Sequence, residues 1–334
     1  MKLLKILQKE WFLVGMVVAI GLAVLFPKVG ASKGPIHLGQ LTQYGIALIF
    51  FLYGVGLSPQ MIRKGLGNWQ LHIFTQAATF ILYPIIWLIL GHWFKGIMPH
   101  ALAFGFCYLL VLPSTISSSV AMTAIAKGNI PGAIFNASLS SILGIFLTPF
   151  YVQLFIGFSG GAMDITATIL HIMQMLLLPM VIGQLVRPLL HTWISNHKKI
   201  TGKVDKVVIL MIVFNAFCNS VIQGIWHDFD LSTLIIAVLL CAAILTFVLV
   251  VLLTLARVFG FNKEDEIAGL FCGTKKTLAA GVPMAKVIFG SNPMLGMLLL
   301  PIMLYHPLQI FICAILANRY AARSPQHEPH TKVN

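Results

Sequence analysis

Acidic residues are what this chain has least of: nine Asp and Glu in 334 residues, with charged residues of either sign making up only 9%. Soluble domains carry about a quarter of their residues as charges. So few charges beside 58% hydrophobic residues exclude a water-soluble fold. All nine acids, Glu10, Asp164, Asp205, Asp228, Asp230, Glu264, Asp265, Glu266 and Glu328, fall in loops or at the edges of apolar runs. No carboxylate is therefore expected at a membrane midplane to carry a proton or hold sodium. Cysteine is scarce too. Positions 107, 218, 241, 272 and 313 lie in apolar runs without a CxxC pair, so they read as core residues and not as disulfides or metal ligands. HExxH and Walker motifs are lacking, which argues against a membrane-embedded enzyme.

What is present is a series of apolar runs, each near the 20 residues that a helix needs to cross the hydrocarbon core. Spans are expected at 11–26, 39–57, 71–93, 101–126, 131–158, 165–190, 204–223, 231–259, 266–289 and 293–317. This gives an all-α polytopic membrane protein of ten transmembrane helices. Lys2, Lys5 and Lys9 before the first run imitate a signal peptide, but its removal would leave the first half one helix short. A retained span is expected. The membrane domain then covers 1–323, with halves at about 11–158 and 165–318, and 324–334 reads as a short disordered cytoplasmic tail.

Net charge is +13, yet the basic residues sit in alternate loops, a distribution that points to membrane topology and not to nucleic acid. With the N-terminus inside, sixteen Lys and Arg fall on the inner side. Lys28, Lys33, Lys95 and Lys286 form the outer set, and Lys275 and Lys276 remain in the membrane, which accounts for all 22. Both termini are expected in the cytoplasm, in an inner cell membrane.

Those two lysines interrupt the stretch 270–289, LFCGTKKTLAAGVPMAKVIF. A lysine near the bilayer centre costs about 2.5–3.5 kcal/mol, so each should face the protein interior or a wet cavity. The neighbours Gly273, Thr274, Thr277, Gly281 and Pro283 suit a broken helix. A second stretch, LLVLPSTISSSVAMTAIA at 109–126, has Pro113 followed by Ser114, Thr115, Ser117, Ser118 and Ser119. Adding 162 to a residue number carries Pro113 to Lys275, Thr115 to Thr277, Gly128 to Gly290 and Pro131 to Pro293. Five spans per half is an odd number, so the second half enters from the opposite side, as an inverted repeat. Interrupted spans at corresponding places in two halves mark the binding site of a secondary transporter. Against this stands the general enrichment of Gly and Pro in membrane helices.

The runs at 50–76, 128–149 and 271–290 resemble the bile acid:sodium symporter superfamily, most closely its bacterial SBF-like branch. The resemblance covers nearly the whole chain. It implies ten helices in two inverted repeats, with a panel part rocking against a core part and segments 4 and 9 unwound where they cross. It also implies sodium bound by hydroxyls and amides, matched here by Gln76, Ser118, Ser119, Asn136 and Ser140. The family's segment 9 glutamate falls on Phe271, and Lys275 and Lys276 replace the amides that follow. Sodium remains a possible coupling ion with a weakened site, and a fixed ammonium is expected to take its place. No other cofactor is implied.

The candidate site is therefore Lys275, Lys276, Thr277, Thr274, Ser114, Thr115, Ser118, Ser119, Gln76, Asn136 and Ser140. Lysines beside two half-helix N-termini favour a small organic anion as the partner. The competing reading of each lysine is that it snorkels or pairs with Asp265 or Glu266. His306 is either a proton carrier or a hydrogen-bonded core histidine. Asn215 and Asn219, one turn apart, either line a crevice or join helices. Two functions compete: secondary transport of an organic anion, and a receptor or regulatory protein on the same fold that moves nothing.

Overall fold

The computed structural model describes residues 11–56, 67–157, 165–226, 229–290 and 292–323. The expected tail at 324–334 and the charge-count residues Lys2, Lys5, Lys9, Arg63, Lys64 and Lys332 lie outside them. Among the described residues every regular element is helical, and six to eight helices or bent pairs are long and apolar enough to cross a membrane. The chain is a multi-pass membrane protein.

In order, the helices are α1 (Trp11–Leu25), the single turn α2 (Pro27–Gly30), α3 (Leu38–Gly56), α4 (Trp69–Ala77), α5 (Tyr83–Ile97), α6 (His100–Val111), α7 (Ile116–Ile125) and α8 (Ile130–Phe155). There follow α9 (Ile165–Leu185), α10 (Arg187–Asn196), α11 (Lys198–Ile222), α12 (Leu231–Val258), α13 (Lys263–Thr274), α14 (Leu278–Phe289) and α15 (Leu295–Ala321). A π-turn at Ala78–Leu82 joins α4 to α5 in one rod.

Pro113 accounts for the break between α6 and α7. Proline disfavours helical geometry in the residue before it, and Leu112 is extended with ψ at 149°. The two half-helices diverge by 58°. Between α13 and α14 the break falls at Lys275–Thr277, where there is no proline; Pro283 sits inside α14 instead. The expected span at 165–190 differs as well. It stops at Leu185 and turns by 62° into α10, with Pro188 in the first turn of the new helix, where a missing N–H costs nothing. Lys286 also departs from expectation. It belongs to no outer loop, being buried in the last turn of α14.

At one end of the bundle, three asparagines cap α4, α8 and α13. Asn68, Asn129 and Asn262 accept from the amides of Leu71, Gly132 and Asp265. Each then donates its side-chain nitrogen to the one carboxylate of Asp265, at 2.7, 2.6 and 2.9 Å. Glu266 beside it takes Lys263 at 2.8 Å and Tyr320 at 2.7 Å. These acids have partners of their own, which excludes them as counter-ions for Lys275 or Lys276.

Candidate functional site

The two breaks touch. The amide of Thr277 donates to the carbonyl of Pro113 at 3.0 Å, so the interruption in one strand of the crossing is bonded to the interruption in the other. Each half-helix ends in carbonyls with no partner of their own, and each set is satisfied from across the crossing.

The carbonyl end of α6 is held by Lys276. Its ammonium, fully buried, donates to Leu112 O at 2.7 Å, Leu110 O at 3.1 Å and Thr79 O at 3.2 Å. That uses all three ammonium hydrogens. Thr79 lies in the π-turn, a feature that frequently marks functional sites. The ring of Tyr83 covers the same ammonium, 3.8 Å from Nζ to the ring centroid. Oxygens, a helix C-terminus and an aromatic face make this a cation site, and the cation is part of the chain.

The carbonyl end of α13 is held by hydroxyls. Ser114 donates to Cys272 O at 2.6 Å and Ser119 to Phe271 O at 3.2 Å. Tyr83 and Tyr305 both reach Thr274 O, at 2.7 and 3.0 Å. Gln309 stabilises the extended segment by pairing with both backbone groups of Lys276, accepting from N and donating to O at 2.8 Å each. Lys275, also fully buried, donates to Ser118 O at 2.8 Å.

Two cavities open along the groove between α3, α9 and α14. The first, about 580 Å³, is lined by Phe50, Tyr53 and Met180, and by residues of both half-helix N-termini: Thr115, Ile116 and Ser117 from α7, Thr277, Ala279 and Ala280 from α14. Thr115 makes no side-chain cap, leaving the first amides of α7 without one. The wall is mostly apolar, and among the described residues Asp205 is the only charged one in it. One Asp205 oxygen is buried with no hydrogen-bond partner among the described residues. The second cavity, about 600 Å³, lies at the other end of the same groove and contains Lys286, Gln40, Gln43 and Gln174.

The expected residues thus divide. Thr115 and Thr277 line the first cavity. Lys275, Lys276, Ser114, Ser119 and Thr274 build the crossing behind it, and neither lysine is among the residues lining either cavity. Ser140 accepts from the amide of Ser114 at 2.9 Å. Gln76 donates to Asn136, at 3.0 Å to its backbone oxygen and 3.3 Å to its side chain. Gln76 Oε1 and Ser118 Oγ are buried without a partner among the described residues. Asn215 and Asn219 both bond Ser32, and Asn215 also donates to Gly30 O at 2.8 Å, which fastens the end of α2 to α11. His306 bonds Gln309 at 3.0 Å. Because Gln309 Nε2 can only donate, His306 Nδ1 is the acceptor.

Sequence reasoning missed Tyr83, Tyr305, Thr79, Gln309, Asp205 and Lys286. The first four act through backbone carbonyls, which leave no pattern in a sequence. Lys286 stood in view, in the same stretch as Lys275, but its position just before Gly290 imitated a loop charge.

A family model for SBF-like CPA transporters matches residues 10–322. Protein PA2026 of Pseudomonas aeruginosa is 40% identical over 312 residues, which is 93% of each chain. A protein of Escherichia coli named "Putative symporter YfeH" is 39% identical, covering 98% of this chain and 96% of its own. The rat protein named sodium/bile acid cotransporter 7 is 35% identical, covering 95% and 94%.

Proposed function

Because this chain belongs to the SBF-like CPA transporter family, we propose that it is a secondary transporter of a small organic anion that works by alternating access. The observation that carries the proposal is the crossing itself. Two interrupted helices, bonded break to break, set both half-helix N-termini on one cavity of about 580 Å³. The uncapped first amides of α7 and the positive dipole ends of α7 and α14 favour an acidic group there, while the apolar wall suits a hydrocarbon body. In this reading the two halves are inverted repeats of five spans, the N- and C-termini are cytoplasmic, and the protein sits in the inner cell membrane.

Sodium is not needed at the carbonyl end of α6. The Lys276 ammonium meets three oxygens where a bound ion would need them, and it remains with the protein throughout the cycle. What remains for a sodium ion near the family's positions is the pair Gln76 Oε1 and Ser118 Oγ, with no carboxylate between Phe271 and Thr277 to balance its charge. Lys275 takes the Ser118 carbonyl that could have completed such a site. We therefore assign the role of fixed cation to Lys276 first and Lys275 second.

The test is uptake by purified protein in liposomes, across a panel of carboxylates and sulfonates with apolar bodies, with sodium present or replaced by choline. Uptake is expected, equal within about twofold in the two media. A steep rise with sodium would overturn the fixed-cation assignment. Binding without flux for every panel member would favour the receptor reading over the transporter.

A further inference from the structure

The second cavity holds a buried cation that no role described so far uses. Lys286 is 5% exposed, and its ammonium donates to Asn215 Oδ1 at 3.0 Å, a neutral oxygen. Among the described residues no acid lines the cavity around it. A lysine sequestered from water without a counter-ion retains two donors and an unbalanced charge. The rest of the wall supplies amides. Gln40 and Gln43 stand three apart on one face of α3, and Gln174 comes from α9 across the groove. Ser32, bonded to Asn215 and Asn219, closes one side.

The same faces continue into the first cavity. Along α3, Gln40, Gln43 and Ala47 line the second cavity and Phe50 and Tyr53 the first; along α14, Lys286 and Val287 line the second and Ala280 and Met284 the first. The groove is therefore polar and cationic at one end and apolar at the other.

We propose that Lys286, with Gln40, Gln43 and Gln174, forms a separate binding site for the carboxylate or sulfonate group of an organic anion. The lysine supplies the charge and two hydrogen bonds. The amides supply further donors and turn as the ligand requires. Met175, Leu178 and Pro179 give an apolar side against which the body of the ligand rests. This site goes beyond the transport reading. It rests on a cavity, a cation and three amides, and holds equally for a protein that moves nothing.

The test places a cysteine at Ala47, at the inner end of the second cavity, since the five native cysteines are all buried. Ala47→Cys is labelled with an anionic methanethiosulfonate and, separately, with a cationic one, each rate divided by its rate on a free thiol. The anionic reagent is expected to be favoured by about tenfold, and benzenesulfonate at millimolar concentration is expected to slow labelling where benzyltrimethylammonium does not. Adding Lys286→Met should abolish the preference and the protection; Lys286→Arg should keep both. No labelling at all, a preference for the cationic reagent, or equal protection by both ions would overturn the proposal on the lysine-containing protein alone, whether or not the methionine variant folds. Flux measurements do not enter, so this site and the transport reading fail separately.

Discussion

At the residue scale, two adjacent lysines with the same burial do different amounts of work. Lys276 bonds three carbonyls and Lys275 one. Removing an ammonium recovers its insertion cost of about 2.5–3.5 kcal/mol but leaves buried acceptors unsatisfied, at about 1–3 kcal/mol each. With three acceptors the loss dominates; with one, the two effects nearly cancel. Lys276→Met is therefore expected to lower the thermal midpoint by several degrees in detergent or nanodiscs, and Lys275→Met by little. Equal midpoints for the two variants would show that the three contacts of Lys276 do not hold the crossing together.

At the element scale, the strength of the structure lies in helix ends. Asp265 binds the side chains of three separate N-caps, so its loss loosens α4, α8 and α13 together. A single cap is worth about 0.5–2 kcal/mol. Asp265→Ala is expected to lower the unfolding temperature more than Asn68→Ala, Asn129→Ala or Asn262→Ala alone; a smaller effect than any one of them would disprove a shared role. Close helix packing gives a second expectation. A side chain at Gly183 would collide with the carbonyl of Phe51, and one at Gly54 with the carbonyl of Met180, so α3 and α9 approach at reciprocal glycines. Gly183→Leu should drive these helices apart, which a loss of cross-linking between cysteines placed at Leu52 and Met180 would register.

At the scale of the whole molecule, the two cavities lie at opposite ends of one groove, and a carrier that alternates would open one as it closes the other. A transported anion should therefore change the labelling rates of Ser117→Cys in the first cavity and Ala47→Cys in the second in opposite directions. Changes of the same sign would point to simple occlusion by ligand. This expectation concerns the moving protein, whereas the crossing is a fixed object, bonded through its backbone on both sides.

The amino-acid sequence by itself settled the class and most of the helix edges, because a bilayer imposes length and hydrophobicity on any chain that crosses it. It also settled the first break, since Pro113 lacks an N–H and restricts Leu112 wherever it is placed. The second break was legible only as two charges in an apolar run. What keeps Lys275–Thr277 extended is Gln309 from α15 and the Pro113 carbonyl from the other half, contacts more than 30 residues away along the chain. Whether a lysine faces a ligand or a carbonyl was likewise decided by tertiary structure. An ammonium goes where oxygens converge, and here they converge at the end of α6, at a π-turn and beside Asn215. These are backbone and amide oxygens, brought together only when the helices pack.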